Sequence, residues 1–183
     1  MTSEPSDRLV NLFGALALGI SDRVRSAIAE AFPSGGETAA ALIVIGHAPG
    51  MSIDQVSRTL RLSHAGAVRL VDRVIEQDLV TKSPSAADRR VMNVDLTPEG
   101  WAQRDKLLAL RHAALASLLT HVAAEDRVLL ERVAESVVAT LPCDPLSALT
   151  TCRFCDERTC TDCPMDVFGP VVTSNGREVA LKH

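Results

Sequence analysis

The chain has 183 residues, of which 46% are hydrophobic, 23% charged and 3% aromatic, and its formal net charge is -4. That is enough apolar material for one well-buried domain with an appendage, and an acidic total means that any surface for nucleic acid must be local. No apolar run reaches membrane-spanning length and the start is polar through Asp7, so a soluble cytoplasmic protein is expected.

Between residues 8 and 32, Leu9, Leu12, Phe13, Leu16, Ile20, Val24, Ala27, Ile28 and Ala31 recur at helical spacing. They predict a long amphipathic helix stopped by Pro33 and the Gly35-Gly36 pair. Residues 37–47 are nearly all apolar, which predicts a helix buried on most sides and ended by Pro49-Gly50. Ser52 followed three residues later by Gln55 is a capping-box signature, with Ile53, Val56 and Leu60 on one face of a short third helix. Ser63 caps a fourth over residues 63–77. Ala67, Leu70, Val71, Val74 and Ile75 lie on its inner side, and His64, Ala65, Gly66, Arg69 and Arg73 lie on or near the outer side. Two short helices joined by a tight turn, the second polar outward, form a helix-turn-helix.

Residues 79–82 and the alternation of Met92, Val94 and Leu96 predict two short strands. The turn-rich stretch between them ends in Asp88-Arg89-Arg90, so the pair reads as a basic wing able to enter a minor groove. Charge supports this only weakly: residues 50–96 hold seven Lys/Arg against six Asp/Glu, a balance of +1. Thr97 as cap and Pro98 at the first helical position open a long fifth helix, with Trp101, Leu108, Leu115, Leu118, Leu119 and Val122 on its apolar side. A sixth is expected over 125–141. One winged unit cannot cover three long apolar stripes at the two ends of the chain, so a homodimer is expected, placing two reading helices on successive major-groove faces.

The order of these elements, with Leu62-Ser63, Arg69-Leu70-Val71-Asp72-Arg73, Leu79-Val80, Asp88-Arg89-Arg90, Leu96-Thr97 and Glu99-Gly100 in order and spacing, resembles the MarR family of bacterial transcriptional regulators over about residues 8–141. The resemblance implies a mainly α fold: a winged helix-turn-helix with a small β-hairpin wing, plus a helical dimerisation region drawn from both termini. It also implies a homodimer on a pseudo-palindromic DNA operator, usually a repressor released by a small ligand or by thiol oxidation. Carried over by position, Ser63, His64, Ala65, Gly66 and Arg69 would face the major groove and Arg73 phosphate or base edges. Arg89 or Arg90 would enter the minor groove, with Asp88 orienting the wing. The family often places polar side chains where this chain has Ala65 and Gly66, which carry little hydrogen-bond information, so specificity leans on His64, Arg69 and DNA shape. The expected division is 8–36 and 97–141 for dimerisation, 37–96 for DNA binding and 142–183 for a cysteine-rich extension.

That extension holds all five cysteines. Cys152-Arg153-Phe154-Cys155 and Cys160-Thr161-Asp162-Cys163 are two Cys-x-x-Cys pairs that can present four thiolates to a tetrahedral ion, with zinc the leading cofactor. The short link between them leaves open an iron–sulfur cluster, or ligands shared with Cys143 or a histidine. Redox cycling is the competing reading, with Arg153 and Arg158 able to lower a thiol pKa, and free thiols without a role the third. Peroxide-sensing relatives carry their cysteine near the N-terminal helix, where this chain has none. Beyond the cysteines, Asn175-Gly176 between β-prone runs signals a hairpin that folds over the metal loop or else frays.

No phosphate loop, nucleophile–base constellation or parallel sheet around Cys152 is readable, so an enzyme is not expected. A metal-binding interaction protein or thiol oxidoreductase is the alternative of another class. His47, His112 and His121 are expected to be packed or solvated on helices rather than metal ligands. A ligand pocket lined by Leu12, Leu16, Ile43, Trp101 and Leu108 would lie between the winged unit and the dimer region, though all five serve equally as core.

Overall fold

The computed structural model describes residues 4–32 and 35–180, which leaves Pro33 outside the described residues. Among the described residues seven α-helices and five short strands follow one another: α1 (Asp7–Ala31), α2 (Gly36–His47), β1 (Met51–Ser52), α3 (Ile53–Leu60), α4 (His64–Glu76), β2 (Val80–Pro84), β3 (Met92–Leu96), α5 (Pro98–Leu119), α6 (Ala124–Val138), α7 (Pro145–Thr151), β4 (Val171–Val172) and β5 (Glu178–Val179). The mainly helical winged fold expected from the sequence is present. Among the described residues no helix is long and apolar enough to cross a membrane.

Local chemistry sets the boundaries. Ser52 and Gln55 form the reciprocal capping box, Ser63 Oγ accepts from the Gly66 N–H at 3.1 Å, and Thr97 Oγ1 accepts from the Gly100 N–H at 2.9 Å with Pro98 opening α5. The α3–α4 turn passes through Arg61 in the left-handed region, φ 56°. Gly100 is required where it stands, because a Cβ there would run into the Leu79 carbonyl. Helix α2 is buried from Thr38 to His47 at the centre of the fold, and the inner face of α4 adds Ala67, Leu70, Val71 and Val74.

The wing is a three-stranded antiparallel sheet in the order β1-β3-β2, one strand more than expected. Met51 faces Val94 and Ser52 faces Asn93, while Val80 to Pro84 run against Leu96 to Met92. Strand β1 spans two residues, too few to show an alternation pattern.

The extension is built into the core. Ala148, Leu149, Met165 and Val171 are buried in the same apolar cluster as Ile43, Val56, Val71 and Leu107, and α7 packs on α3. The β4–β5 hairpin does form, and it docks on the winged unit. Ser174 Oγ donates to Asn93 Oδ1 (2.5 Å) and the Gly50 carbonyl (3.2 Å), Ser85 Oγ donates to the Ser174 carbonyl (2.9 Å), and Gln55 Nε2 donates to the Val172 carbonyl (2.7 Å). These hydrogen bonds explain why polar Ser85 and Asn93 are buried.

At the two ends of the chain the apolar stripes stay open. Leu9, Leu12, Phe13 and Leu16 on α1 are about half exposed, as are Leu129 and Val133 on α6, where no residue is buried. The five residues named for a ligand pocket therefore do not gather: Leu12 and Leu16 face outward and Ile43 and Leu108 are core. A cleft of about 430 Å³ lies elsewhere, between Phe32 and the α5 residues Gln103, Lys106, Leu107, Ala109, Leu110 and Ala113.

Candidate DNA interface and cysteine cluster

The outer side of α4 carries the residues expected to read DNA. His64, Ala65, Arg69 and Arg73 are exposed, Gly66 is half-buried, and Ser63 is exposed with its hydroxyl engaged as the helix cap. Asp72 on the same helix pairs with Lys82 of β2 at 2.9 Å, linking α4 to the wing. At the wing tip, Asp88 Oδ1 accepts from the Arg90 backbone N–H at 3.0 Å and from its Nε at 3.3 Å. The Arg90 side chain remains 92% exposed and Arg89 is exposed as well. Two solvent-facing cations thus sit at the end of a short hairpin whose turn is braced by a carboxylate, a geometry suited to a narrow, electronegative groove.

The four cysteines of the two pairs line one small cavity, of about 20 Å³, together with His47, Glu157 and Ala180. That volume holds one water-sized occupant. Cys143 stands apart, exposed beside Asp144 and Ser147. Among the described residues no three His, Cys, Asp or Glu side chains are arranged so as to hold a metal ion, so the sulfurs face a common space without converging on a point. They do sense one another. A hydrogen bond shared with Cys155, burial and the other thiols push Cys152 far above the ordinary thiol range, while the Cys152 bond, against burial and helped by the Arg111 and His47 charges, holds Cys155 down at about 6. Burial and Cys163 push Cys160 up to about 11. Arg111 Nη2 lies 4.0 Å from Cys155 Sγ.

Beneath this cavity lies a polar group that sequence reasoning missed. Arg104, on α5, is fully buried, and its Nη2 donates to both oxygens of Glu157, from the link between the cysteine pairs. His47, at the end of α2 and 5% exposed, brings Nε2 within 2.5 Å of Glu157 Oε2 and 3.0 Å of the Cys155 carbonyl. Both are acceptors, so Nε2 carries the proton. Burial opposes ionisation of Glu157, but the His47 hydrogen bond and the Arg104 charge outweigh it and hold the carboxyl at about 2. Arg104 also lies 5.3 Å from the centre of the Trp101 ring and fills the space over Gly46. A signal for it was present: Arg104 falls three residues after Trp101 and four before Leu108, interrupting the apolar side of α5 with a charge.

Residues 36–91 match the MarR family model. A repressor of Bacillus subtilis (strain 168), the HTH-type transcriptional repressor MdtR, is 21% identical over 124 residues, which cover 66% of this chain and 80% of that protein. Among solved structures, RV1404 of Mycobacterium tuberculosis superposes with a TM-score of 0.66 at 17% identity, over 76% of this chain and 97% of that one. Wild-type MarR of E. coli in its apo form superposes with a TM-score of 0.61 at 18% identity, over 75% and 98%.

Proposed function

We propose that the chain, whose residues 36–91 match the MarR family model, is a transcriptional regulator of that family, acting as a homodimeric repressor on a pseudo-palindromic operator and controlled through its cysteine-rich extension. The observation that carries this reading is the pairing of an outward α4 face, bearing His64, Arg69 and Arg73, with an exposed Asp88-braced wing tip bearing Arg89 and Arg90. In this reading Ser63, His64, Ala65, Gly66 and Arg69 enter the major groove and Arg73 meets phosphate or base edges. The half-exposed apolar faces of α1 and α6 support a partner copy that covers them, since stripes of this kind rarely stay open to water. Residues 8–36 and 97–141 then serve dimerisation, and 37–96 DNA binding.

Control is assigned to Cys152, Cys155, Cys160 and Cys163. The donor set suits zinc, and the cavity they share has room for one ion. A bound ion would supply a cross-link between the two cysteine pairs. A second reading is favoured by the cavity that Cys152 and Cys155 share and by Arg111 Nη2, 4.0 Å from Cys155 Sγ. There a peroxide or disulfide oxidant takes two electrons from the pair, two protons leave, and a Cys152–Cys155 disulfide forms.

Selection from random duplex DNA, followed by light scattering of the complex, tests the core of the proposal. A two-fold symmetric site bound by two chains is expected, and binding by a single chain to an asymmetric site would overturn it. Operator affinity measured on anaerobic protein before and after chelation, and before and after peroxide, tests control. If neither treatment alters affinity, the sensory role of the cysteines is lost.

A further inference from the structure

The β4–β5 hairpin meets the winged unit at the root of its wing. We propose that Ser174, at the turn of that hairpin, is a positioning residue for the wing, holding the tip that bears Arg89 and Arg90 at the setting in which it grips DNA. This rests on the DNA-binding role proposed above and names the contact by which the extension acts on it.

Two buried polar residues mark the contact. Ser85 follows β2 and Asn93 lies on β3, and they are only 1% and 5% exposed. Shut off from water, they need partners within the protein. Ser174 meets both: its hydroxyl donates to Asn93 Oδ1 at 2.5 Å, and its carbonyl accepts from Ser85 Oγ at 2.9 Å. Ser85 Oγ also accepts from the Ala87 N–H at 3.2 Å, and the Ser85 N–H donates to the Val91 carbonyl at 2.8 Å, closing the neck of the tip. The Val91 N–H donates in turn to the Asp88 carbonyl at 2.9 Å, and Asp88 holds Arg90. A continuous run of hydrogen bonds therefore leads from Ser174 to the arginine tip.

The hairpin has the stiffness and the footing that a brace needs. Its turn is bonded within itself: the Thr173 N–H donates to the Arg177 carbonyl at 2.9 Å, and Asn175 Oδ1 accepts from Thr173 Oγ1 at 2.6 Å and from the Arg177 N–H at 3.2 Å. Asn175 lies so close to Gly50, where φ is 84°, that a Cβ there would meet its side-chain nitrogen at 2.4 Å. Gln55 Nε2 donates to the Val172 carbonyl at 2.7 Å while its Oε1 accepts from the Ser52 N–H at 3.0 Å, so the hairpin stands on the capped start of α3. Val171 anchors it in the core. Fixed there on one side and bonded to Ser85 and Asn93 on the other, the hairpin limits how far the wing swings relative to α3 and to α4, which packs on α3. A tip held in place before DNA arrives loses less freedom on binding, which favours affinity.

The test measures binding of the full-length chain to a duplex carrying the selected site, across a salt series. Four proteins are compared: the unaltered chain, Ser174→Ala, Arg89→Ala with Arg90→Ala, and all three substitutions together. Ser174→Ala should weaken binding about 3–10-fold, the worth of one hydrogen bond, and lower the salt slope as loss of the arginines does. Without the two arginines the same substitution should change affinity by less than about twofold, because the brace then has no charge to place. Undiminished affinity in Ser174→Ala, or an equal loss with and without the arginines, overturns the brace and leaves the DNA-binding reading standing. A chain that binds no duplex overturns both. Should Ser174→Ala fail to fold, Asn93→Ala, which removes the same bond from the wing side, is judged by the same comparison.

Discussion

Arg104, fully buried on α5, has its charge answered by Glu157, 53 residues further along the chain and inside the link between the two cysteine pairs. Its Nε and Nη1 are buried without hydrogen-bond partners, so this one carboxylate carries most of the compensation. Removing one partner of a buried pair is costly because the other charge stays behind, whereas removing both is often nearly neutral. Glu157→Gln should therefore destabilise the protein by about 3–5 kcal/mol in urea unfolding, and Arg104→Met combined with Glu157→Gln should recover most of the loss. A double variant as unstable as the single would show that the ion pair is not the cause.

The wing arginines are expected to hold DNA through charge and groove shape. Replacing Arg89 and Arg90 together with Ala should lower operator affinity and reduce the slope of log K against log salt by about 0.9 for each phosphate no longer neutralised. Fluorescence anisotropy across a salt series measures both. An unchanged slope would count against the wing as a DNA-binding element.

Ser63 has two roles that substitutions separate. Its hydroxyl caps α4, so Ser63→Ala should cost about 1 kcal/mol of stability. Asp caps equally well but carries a negative charge toward phosphate. Ser63→Asp should thus keep thermal stability and weaken operator binding at least about tenfold. If Ser63→Asp binds as tightly as the unaltered chain, the start of α4 does not approach the DNA backbone.

Gly100 gives the Glu99-Gly100 step a physical meaning. With the Leu79 carbonyl in the space a Cβ would occupy, backbone rather than a movable side chain has to yield. Gly100→Ala should cost about 1–3 kcal/mol, read as a fall in the denaturation midpoint. A neutral Gly100→Ala would mean that the α5 start and the β2 entrance shift apart freely.

Much of the DNA-reading unit was legible because its signals are local. The Ser52–Gln55 box, the Ser63 and Thr97 caps and the inner face of α4 depend on residues a turn or two apart, and each stands where the spacing placed it. Strand β1 escaped notice because two residues carry no period, and its existence depends on the distant strand β3. The cysteine pairs were equally visible, but their setting was not. His47 read as an ordinary helical histidine, and nothing near it in sequence announces Glu157 or the thiols.

Sequence alone determined the helical frame, the winged unit and the presence of a thiol-rich tail, since capping, apolar periodicity and residue type act over a few neighbours. Only the tertiary structure decided that the tail shares the core of the winged unit, clasps Asn93 and Gly50 through Ser174, and drives Glu157 between His47 and Arg104. Those choices join groups far apart in the chain. Their reason is physical: a charge buried at Arg104 must be answered, and the acid that answers it is identified by where the folded chain brings it.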